Sequence, residues 1–180
     1  YILSKIDNAK LLLIDLNIHT TLKNNYVFQD FGIAFFESLK EAADLFRKYK
    51  EINFLYPTFT NHPIETITFF EKFCNEFKFN YKVLTNPKDF NIEKNCAYIS
   101  VSDRVLGQFL EQCREKYFEP GIDVGLLSYN ETPMKKFIYK GISVISTDFK
   151  ELGTKAAEFI THDESMQYYV PTKLTIRESL

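Results

Sequence analysis

Three short apolar runs in this sequence each end in a side chain that carries a carboxylate or a carboxamide. The runs cover residues 11–15, 97–103 and 124–130, and they end at Asp15, Asp103 and Asn130. A continuous apolar run of this length, followed by a helical pattern, is typical of a parallel strand buried on both faces. Ligands of open α/β sheets bind beyond the carboxyl ends of such strands. The three polar side chains therefore predict a site for a small polar ligand.

Between these runs, strand-like and amphipathic helical patterns alternate along the chain. Strands are predicted over residues 11–15, 52–56, 81–84, 97–101, 123–128 and 142–146, with an extended segment over 169–176. Helices are predicted over residues 31–49, 63–77, 103–116, 134–139 and 152–160. Strands and helices that alternate in this way indicate parallel βαβ units with right-handed crossovers.

Composition excludes several classes of protein. A chain of 180 residues that is 45% hydrophobic can bury one full core, or two small lobes that share one. A net charge of -2 argues against a nucleic-acid surface, because phosphate binding needs clustered basic residues. The apolar stretches are shorter than the roughly 20 residues of a membrane helix, and the first residues lack a signal-peptide pattern. We therefore expect a cytoplasmic protein.

The residue types that carry most cofactor and catalytic chemistry are scattered. Cys74, Cys96 and Cys113 have no CxxC spacing, so we expect buried reduced thiols. The three histidines have no metal-ligand spacing and favour surface or packing roles, so no metal and no cofactor is predicted. With six glycines in all, no GxSxG elbow and no glycine-rich phosphate loop, the sequence does not indicate an enzyme.

Four ordered segments resemble the effector-binding domain of the LacI/GalR family of bacterial transcription regulators. In residues 97–107 an aspartate opens a helix after a strand and a glycine follows four residues later, and residues 118–130 contain a Pro-Gly pair before a strand that ends in a polar residue. Residues 142–157 are similar to the family's return crossover and helix. The segment 170–179 carries proline, leucine, arginine and serine in the spacing of the family's last residues, and it is the most specific match.

The resemblance implies a three-layer α/β/α fold with Rossmann-like parallel sheets, the periplasmic-binding-protein type I fold. One lobe would be nearly complete and the other partial. Residues 1–25 and 141–167 would form part of the N-terminal lobe, and residues 26–140 and 168–180 the C-terminal lobe. The family's opening βαβ units and DNA-binding headpiece would lie before Tyr1. Because some regulators with a GntR-type winged-helix headpiece carry the same sensor domain, both headpiece classes stay open.

The function that the resemblance implies is that of a sensor. A sugar or related metabolite would bind in an interlobe cleft of a homodimer and modulate DNA binding by the headpiece outside this chain, with no membrane partner and no turnover. The alternative is a periplasmic-type solute receptor of the same fold. An upstream helix-turn-helix segment would favour the regulator, and a signal peptide would favour the receptor.

Five residues are predicted to bind the ligand, and each has a competing structural role. Asp15 could accept hydrogen bonds from ligand hydroxyls or occupy a loop or cap position. Ser102 and Asp103 could bind the ligand or cap the helix that follows them. Asn130 stands where the family commonly has aspartate, and its carboxamide keeps an acceptor without the charge. Thr66 aligns with a sugar-contacting arginine of the family, and this replacement makes a carboxylated ligand less suitable. Phe59 and Tyr129 are either core residues or stacking surfaces for a sugar.

Overall fold

Two β-sheets carry the fold in this computed structural model, which describes residues 5–15, 24–86, 90–162 and 164–180. The described strands, in chain order, are β1 (Leu12–Asp15), β2 (Asn25–Gln29), β3 (Glu51–Leu55), β4 (Tyr81–Leu84), β5 (Cys96–Ser100), β6 (Gly125–Tyr129), β7 (Ser143–Thr147), β8 (Gln167–Val170) and β9 (Thr172–Thr175). The α-helices are α1 (Ile33–Glu41), α2 (Ala43–Phe46), α3 (Glu65–Phe77), α4 (Asp103–Lys116) and α5 (Phe149–His162).

The chain divides into two compact units. The first comprises Tyr1–Asp30 and Thr147–Thr172, and the second comprises Phe31–Ser146 and Lys173–Leu180, so the backbone passes between them three times. The predicted lobes divided the chain after residues 25, 140 and 167. The observed units therefore place residues 26–30 and 168–172 with the first unit and residues 141–146 with the second. The equation of these units with an N-terminal and a C-terminal lobe stays a prediction.

The second unit is built on a six-stranded sheet with helices on both faces. Its strand order is β4-β3-β5-β6-β7-β9, and β4, β3, β5, β6 and β7 pair in parallel. On one face the fully buried ring of Phe54 packs between Phe35 of α1 and Phe70 of α3. On the other face Tyr98 of β5 packs against Phe109 of α4, with ring centroids 5.3 Å apart. These layers confirm the predicted three-layer α/β/α fold class.

The first unit contains a three-stranded parallel sheet in the order β1-β2-β8, with α5 packed on it. The sequence patterns missed strand β2, because polar residues stand at both of its ends. Asn25 begins this strand, and its carboxamide donates to the carbonyl of Asn8 at 2.9 Å and accepts from the N–H of Met166 at 2.8 Å. These partners lie 17 and 141 residues away along the chain, so no local pattern could reveal them.

Two further differences concern helix continuity. The predicted helix over 31–49 is divided at Ala42, whose N–H is shared between the carbonyls of Ser38 and Leu39. The weak helix predicted over 134–139 is a single 3-10 turn, Pro133–Lys136. The three cysteines are buried and free, as predicted.

Candidate functional site

The carboxyl ends of β3, β5, β6 and β7 lie along one edge of the second unit's sheet, because these strands are parallel. Beyond this edge run the β3–α3 loop over residues 56–64, the β5–α4 junction at residues 101–102 and the segment after β6 over residues 130–136. Three of the five predicted site residues, Ser102, Asp103 and Asn130, fall in these connections or directly beside them. We call this region the carboxyl edge.

Asp103 is the first residue of α4, and Ser102 precedes it in extended conformation with φ of -137°. The Ser102 side chain makes no capping hydrogen bond in the part of the chain that the structure describes. The carboxylate of Asp103 is 64% exposed and stands in the first helical turn, where a negative charge is favourable to the helix dipole. Simple capping by either side chain is therefore not observed.

Asn130 follows β6 directly and has a left-handed φ of 61°. Asparagine tolerates this conformation better than most residues, because its short side chain can hydrogen-bond locally. Its N–H donates to the carbonyl of Ile145 at 2.8 Å. Its Oδ1 is buried and has no hydrogen-bond partner among the described residues. An unpaired buried acceptor costs about 1–3 kcal/mol, and a hydrogen-bond donor that reached this atom would remove that cost.

Lys135 joins Asp103 to the end of β6, and the sequence did not reveal it. Its ammonium lies 2.8 Å from Asp103 Oδ1 and donates to the carbonyl of Asn130 at 2.7 Å. The side chain is only 2% exposed. Lys136 is its exposed neighbour in the same turn, and the local sequence contains no signal that distinguishes the two lysines.

His62, in the β3–α3 loop, lies within an aromatic cluster at the same edge. Its imidazole packs edge-on against Tyr129, Phe31 and Tyr56, with ring centroids 4.5, 5.0 and 6.3 Å away. Burial lowers the pKa of His62 to about 4. Its Nε2 is buried and finds no partner within residues 5–15, 24–86, 90–162 and 164–180. This is a packing histidine held in the neutral form.

The buried imidazole predicts a pH-dependent stability. The pKa of His62 is about 4 in the folded state against an ordinary value of 6.5, so its contribution to stability is complete above pH 6.5 and is lost as the pH falls toward 4. We expect the free energy of unfolding to fall by about 2 kcal/mol between pH 7 and pH 5 from this residue. Urea unfolding at several pH values checks this, and His62→Phe should flatten the dependence in this range. Parallel curves for the two proteins would contradict it.

Thr66 is not exposed at the carboxyl edge. It is fully buried near the start of α3, and its hydroxyl donates to the carbonyl of Pro63 at 2.7 Å. This local hydrogen bond satisfies the hydroxyl within the helix turn. We therefore leave Thr66 out of the site proposed below.

Asp15 lies in the first unit, at the end of β1, with a left-handed φ of 83°. Its carboxylate accepts a hydrogen bond from Gln29 Nε2, and Gln29 Oε1 accepts one from the hydroxyl of Thr147 at 2.6 Å. Asp15 is exposed. A role for it in ligand binding stays a prediction.

The two candidate stacking rings differ in access. Tyr129 is 3% exposed and belongs to the aromatic cluster of His62. Phe59 is 48% exposed, and the guanidinium of Arg104 lies 5.1 Å from its ring centroid. Phe59 is therefore the ring that a ligand at the carboxyl edge can reach.

A surface depression of about 580 Å³ lies at the opposite, amino edge of the same sheet. Its charged side chains pair with one another: Lys50 with Glu93 at 2.8 Å, and Lys82 with Glu51 at 3.0 Å. These groups stabilise each other, and we assign no ligand to this depression.

Within the described residues there is no cluster of histidine, cysteine and acidic side chains suited to a metal ion, and no helix is long and apolar enough to span a membrane.

The fold of this chain is similar to that of solved LacI-family transcription regulators. Solved structures with this fold include a LacI-family regulator from Enterococcus faecium with bound ribose, at a TM-score of 0.73 and 14% identity. The trehalose repressor from Escherichia coli has a TM-score of 0.71 and 14% identity, and the Lac repressor bound to ONPG has 0.69 and 13%.

These similarities cover nearly all of this chain but only part of the other proteins. The aligned region is 93–94% of this chain, 69% of the Enterococcus and Escherichia coli proteins and 56% of the Lac repressor. At such low identity the similarity establishes the fold. No protein-family model matches the sequence, and no curated protein sequence is significantly similar to it.

Proposed function

We propose that this chain is the ligand-sensing part of a bacterial transcription regulator, and that a sugar or related hydroxylated metabolite binds at the carboxyl edge. The observation that carries the proposal is the buried Asn130 Oδ1, which has no partner among the described residues. The Asp103 carboxylate is exposed and adds further acceptors. It lies near Asn130, because the ammonium of Lys135 contacts both residues. Acceptors clustered in this way suit the hydroxyl donors of a sugar.

Two of the structurally similar proteins support a carbohydrate-like ligand. The Enterococcus faecium regulator contains ribose and the Lac repressor contains ONPG. The exposed ring of Phe59 supports the same class, because an aromatic ring can stack on the apolar face of a sugar. Arg104 over that ring also provides a cation within reach of a phosphate substituent.

The sensing mechanism that we propose is a shift between conformations. A ligand that binds one conformation more tightly than the other shifts the population by its difference in affinity. In a cytoplasmic homodimer this shift would change DNA binding by a headpiece outside the present chain. The ligand is released unchanged, so we expect no turnover.

The sharpest test of the ligand site removes the Asn130 carboxamide. Asn130→Gly tolerates the left-handed φ of 61° but lacks the acceptor, whereas alanine would be strained there. We expect a sugar that raises the melting temperature of the wild-type protein to bind this variant about 5- to 150-fold more weakly, since one lost hydrogen bond in a buried site costs about 1–3 kcal/mol. Melting curves with D-ribose, maltose and trehalose, and their phosphates, measure this.

Asn95→Gly is the matched control. Asn95 also has a φ of 61°, but it is exposed and precedes β5 at the amino edge of the same sheet. Its replacement should leave every ligand-induced shift unchanged. Equal shifts in wild type and Asn130→Gly would refute the site, and steady conversion of a bound sugar to product would refute the sensor.

A further inference from the structure

Lys135 occupies a junction between the end of β6 and the start of α4. Its Nζ donates to the carbonyl oxygens of Tyr129 and Asn130 at 3.0 and 2.7 Å, and it lies 2.8 Å from Asp103 Oδ1. A lysine ammonium has three N–H donors and no acceptor. These three oxygens therefore use all of its protons. Lys135 has no donor left for a ligand, and it can act only through the groups that it holds.

The ion pair has one buried and one exposed end. The Lys135 side chain is 2% exposed, whereas that of Asp103 is 64% exposed. Removing a charge from water costs several kcal/mol, and good geometry with further hydrogen bonds is needed to offset it. An apolar side chain of similar length would fill the same space without this cost. The buried Lys135 ammonium thus contacts Asp103 and Asn130, the two residues that the proposed ligand would touch.

The contacts of Lys135 restrict both Asp103 and Asn130. The contact uses Oδ1 of Asp103, which orients the carboxylate while Oδ2 remains as an acceptor. Asn130 is held through both of its flanking peptide groups, because its N–H donates to Ile145 and its carbonyl accepts from Lys135. The backbone that presents the unpaired Oδ1 is therefore fixed before a ligand arrives. Such preorganisation reduces the entropy cost of binding.

We infer that Lys135 is a positioning residue of the ligand site, which holds the Asp103 carboxylate and the Asn130 backbone in the arrangement that a hydroxylated ligand requires. The inference rests on the proposed function. The inference goes beyond the proposed function, because it assigns a role to Lys135, which has no free N–H donor for the ligand.

The test is a double-mutant cycle on sugar affinity. Lys135→Met and Lys135→Gln remove the charge, and the glutamine variant keeps an NH2 group with two N–H donors for the backbone carbonyls in case the methionine variant folds poorly. With ribose, maltose and trehalose as probes in isothermal titration, we expect about tenfold weaker binding in either variant. Lys136→Met removes the same charge from the exposed neighbouring position, and it should bind as wild type does.

The cycle separates positioning from folding. In the Asp103→Asn background the Lys135 substitution should weaken sugar binding less than it does in the wild-type background. The part of its effect that passes through the Asp103 carboxylate is already lost there, and only the part that passes through the Asn130 backbone remains. Its effect on the unfolding midpoint should persist there, since the contacts with the Tyr129 and Asn130 carbonyls are lost in both backgrounds.

Each other outcome overturns the inference. If either Lys135 variant binds the sugar as tightly as wild type, or if the loss is the same in both backgrounds, Lys135 does not hold the Asp103 carboxylate for the ligand and the inference fails. If both variants are unfolded at neutral pH, the residue serves the fold alone. If the wild-type protein binds none of the probe sugars while it remains folded, the proposed function fails, and the inference fails with it.

Discussion

Gly121→Ala should destabilise the second unit by about 4 kcal/mol. Gly121 has a φ of +90°, which side-chain-bearing residues rarely adopt, and a Cβ there would lie 1.7 Å from the backbone oxygen of Glu178. Backbone strain costs about 1–3 kcal/mol, and overpacking against a fixed neighbour adds a similar amount. Because the obstructing atom belongs to the backbone, only displacement of the 177–180 segment can relieve the contact. Urea unfolding measures the change in stability. It is followed by far-UV circular dichroism, because the sequence contains no tryptophan for fluorescence.

Gly107→Ala is the opposite case in the same unit. Gly107 lies within α4, and a Cβ there would meet no atom within 4 Å. Alanine in a helix interior is more favourable than glycine by about 0.5–1 kcal/mol, so this variant should be slightly more stable than wild type. A loss of stability at Gly107 comparable with that at Gly121 would show that the contact with Glu178 is not the cause.

The sequence predicted the fold well wherever hydrophobic periodicity reports burial. The strands predicted over residues 97–101 and 123–128 overlap β5 (Cys96–Ser100) and β6 (Gly125–Tyr129) of the central sheet. Both faces of these strands are covered, and mainly apolar runs are typical of such burial. Strand β2 was missed for the converse reason. Its terminal Asn25 and Gln29 are buried through hydrogen bonds to distant parts of the chain, and polar residues of this kind resemble loop residues in a local pattern.

The candidate site was predictable in position and not in detail. Strand ends are visible in the sequence, and so Asp103 and Asn130 could be assigned to one edge of a sheet. The buried ammonium of Lys135 could not be foreseen, because a lysine two residues after a proline in a polar segment is normally exposed. The hydrogen bond of Thr66 could not be foreseen for a different reason: its hydroxyl donates to the carbonyl of Pro63 within the same turn, which depends on backbone geometry rather than on residue type.

The 177–180 segment includes the last residues of the most specific sequence match, and it forms hydrogen bonds to the second unit's sheet. Its backbone donates and accepts across the sheet: the N–H of Leu126 donates to the carbonyl of Ser179 at 2.7 Å, and the N–H of Arg177 donates to the Ser143 hydroxyl at 2.9 Å. The guanidinium of Arg177 pairs with Glu131, directly after Asn130. The arginine and serine of this segment are thus tied to β6 and β7, the strands that support the carboxyl edge.

Ser179→Ala should lower the free energy of unfolding of the second unit by about 3 kcal/mol. The Ser179 hydroxyl is 2% exposed, donates to the carbonyl of Leu126 at 2.7 Å and accepts from the N–H of Ser143 at 2.8 Å. Alanine leaves both backbone groups buried without a partner, and each such group costs about 1–3 kcal/mol. Thr68→Ala, which removes an exposed hydroxyl from α3, should change stability by less than about 0.5 kcal/mol. Because Ser179 lies away from the carboxyl edge, sugar affinity measured well below the unfolding midpoint should be retained. A variant as stable as wild type would mean that water replaces both hydrogen bonds and that the segment does not depend on this serine.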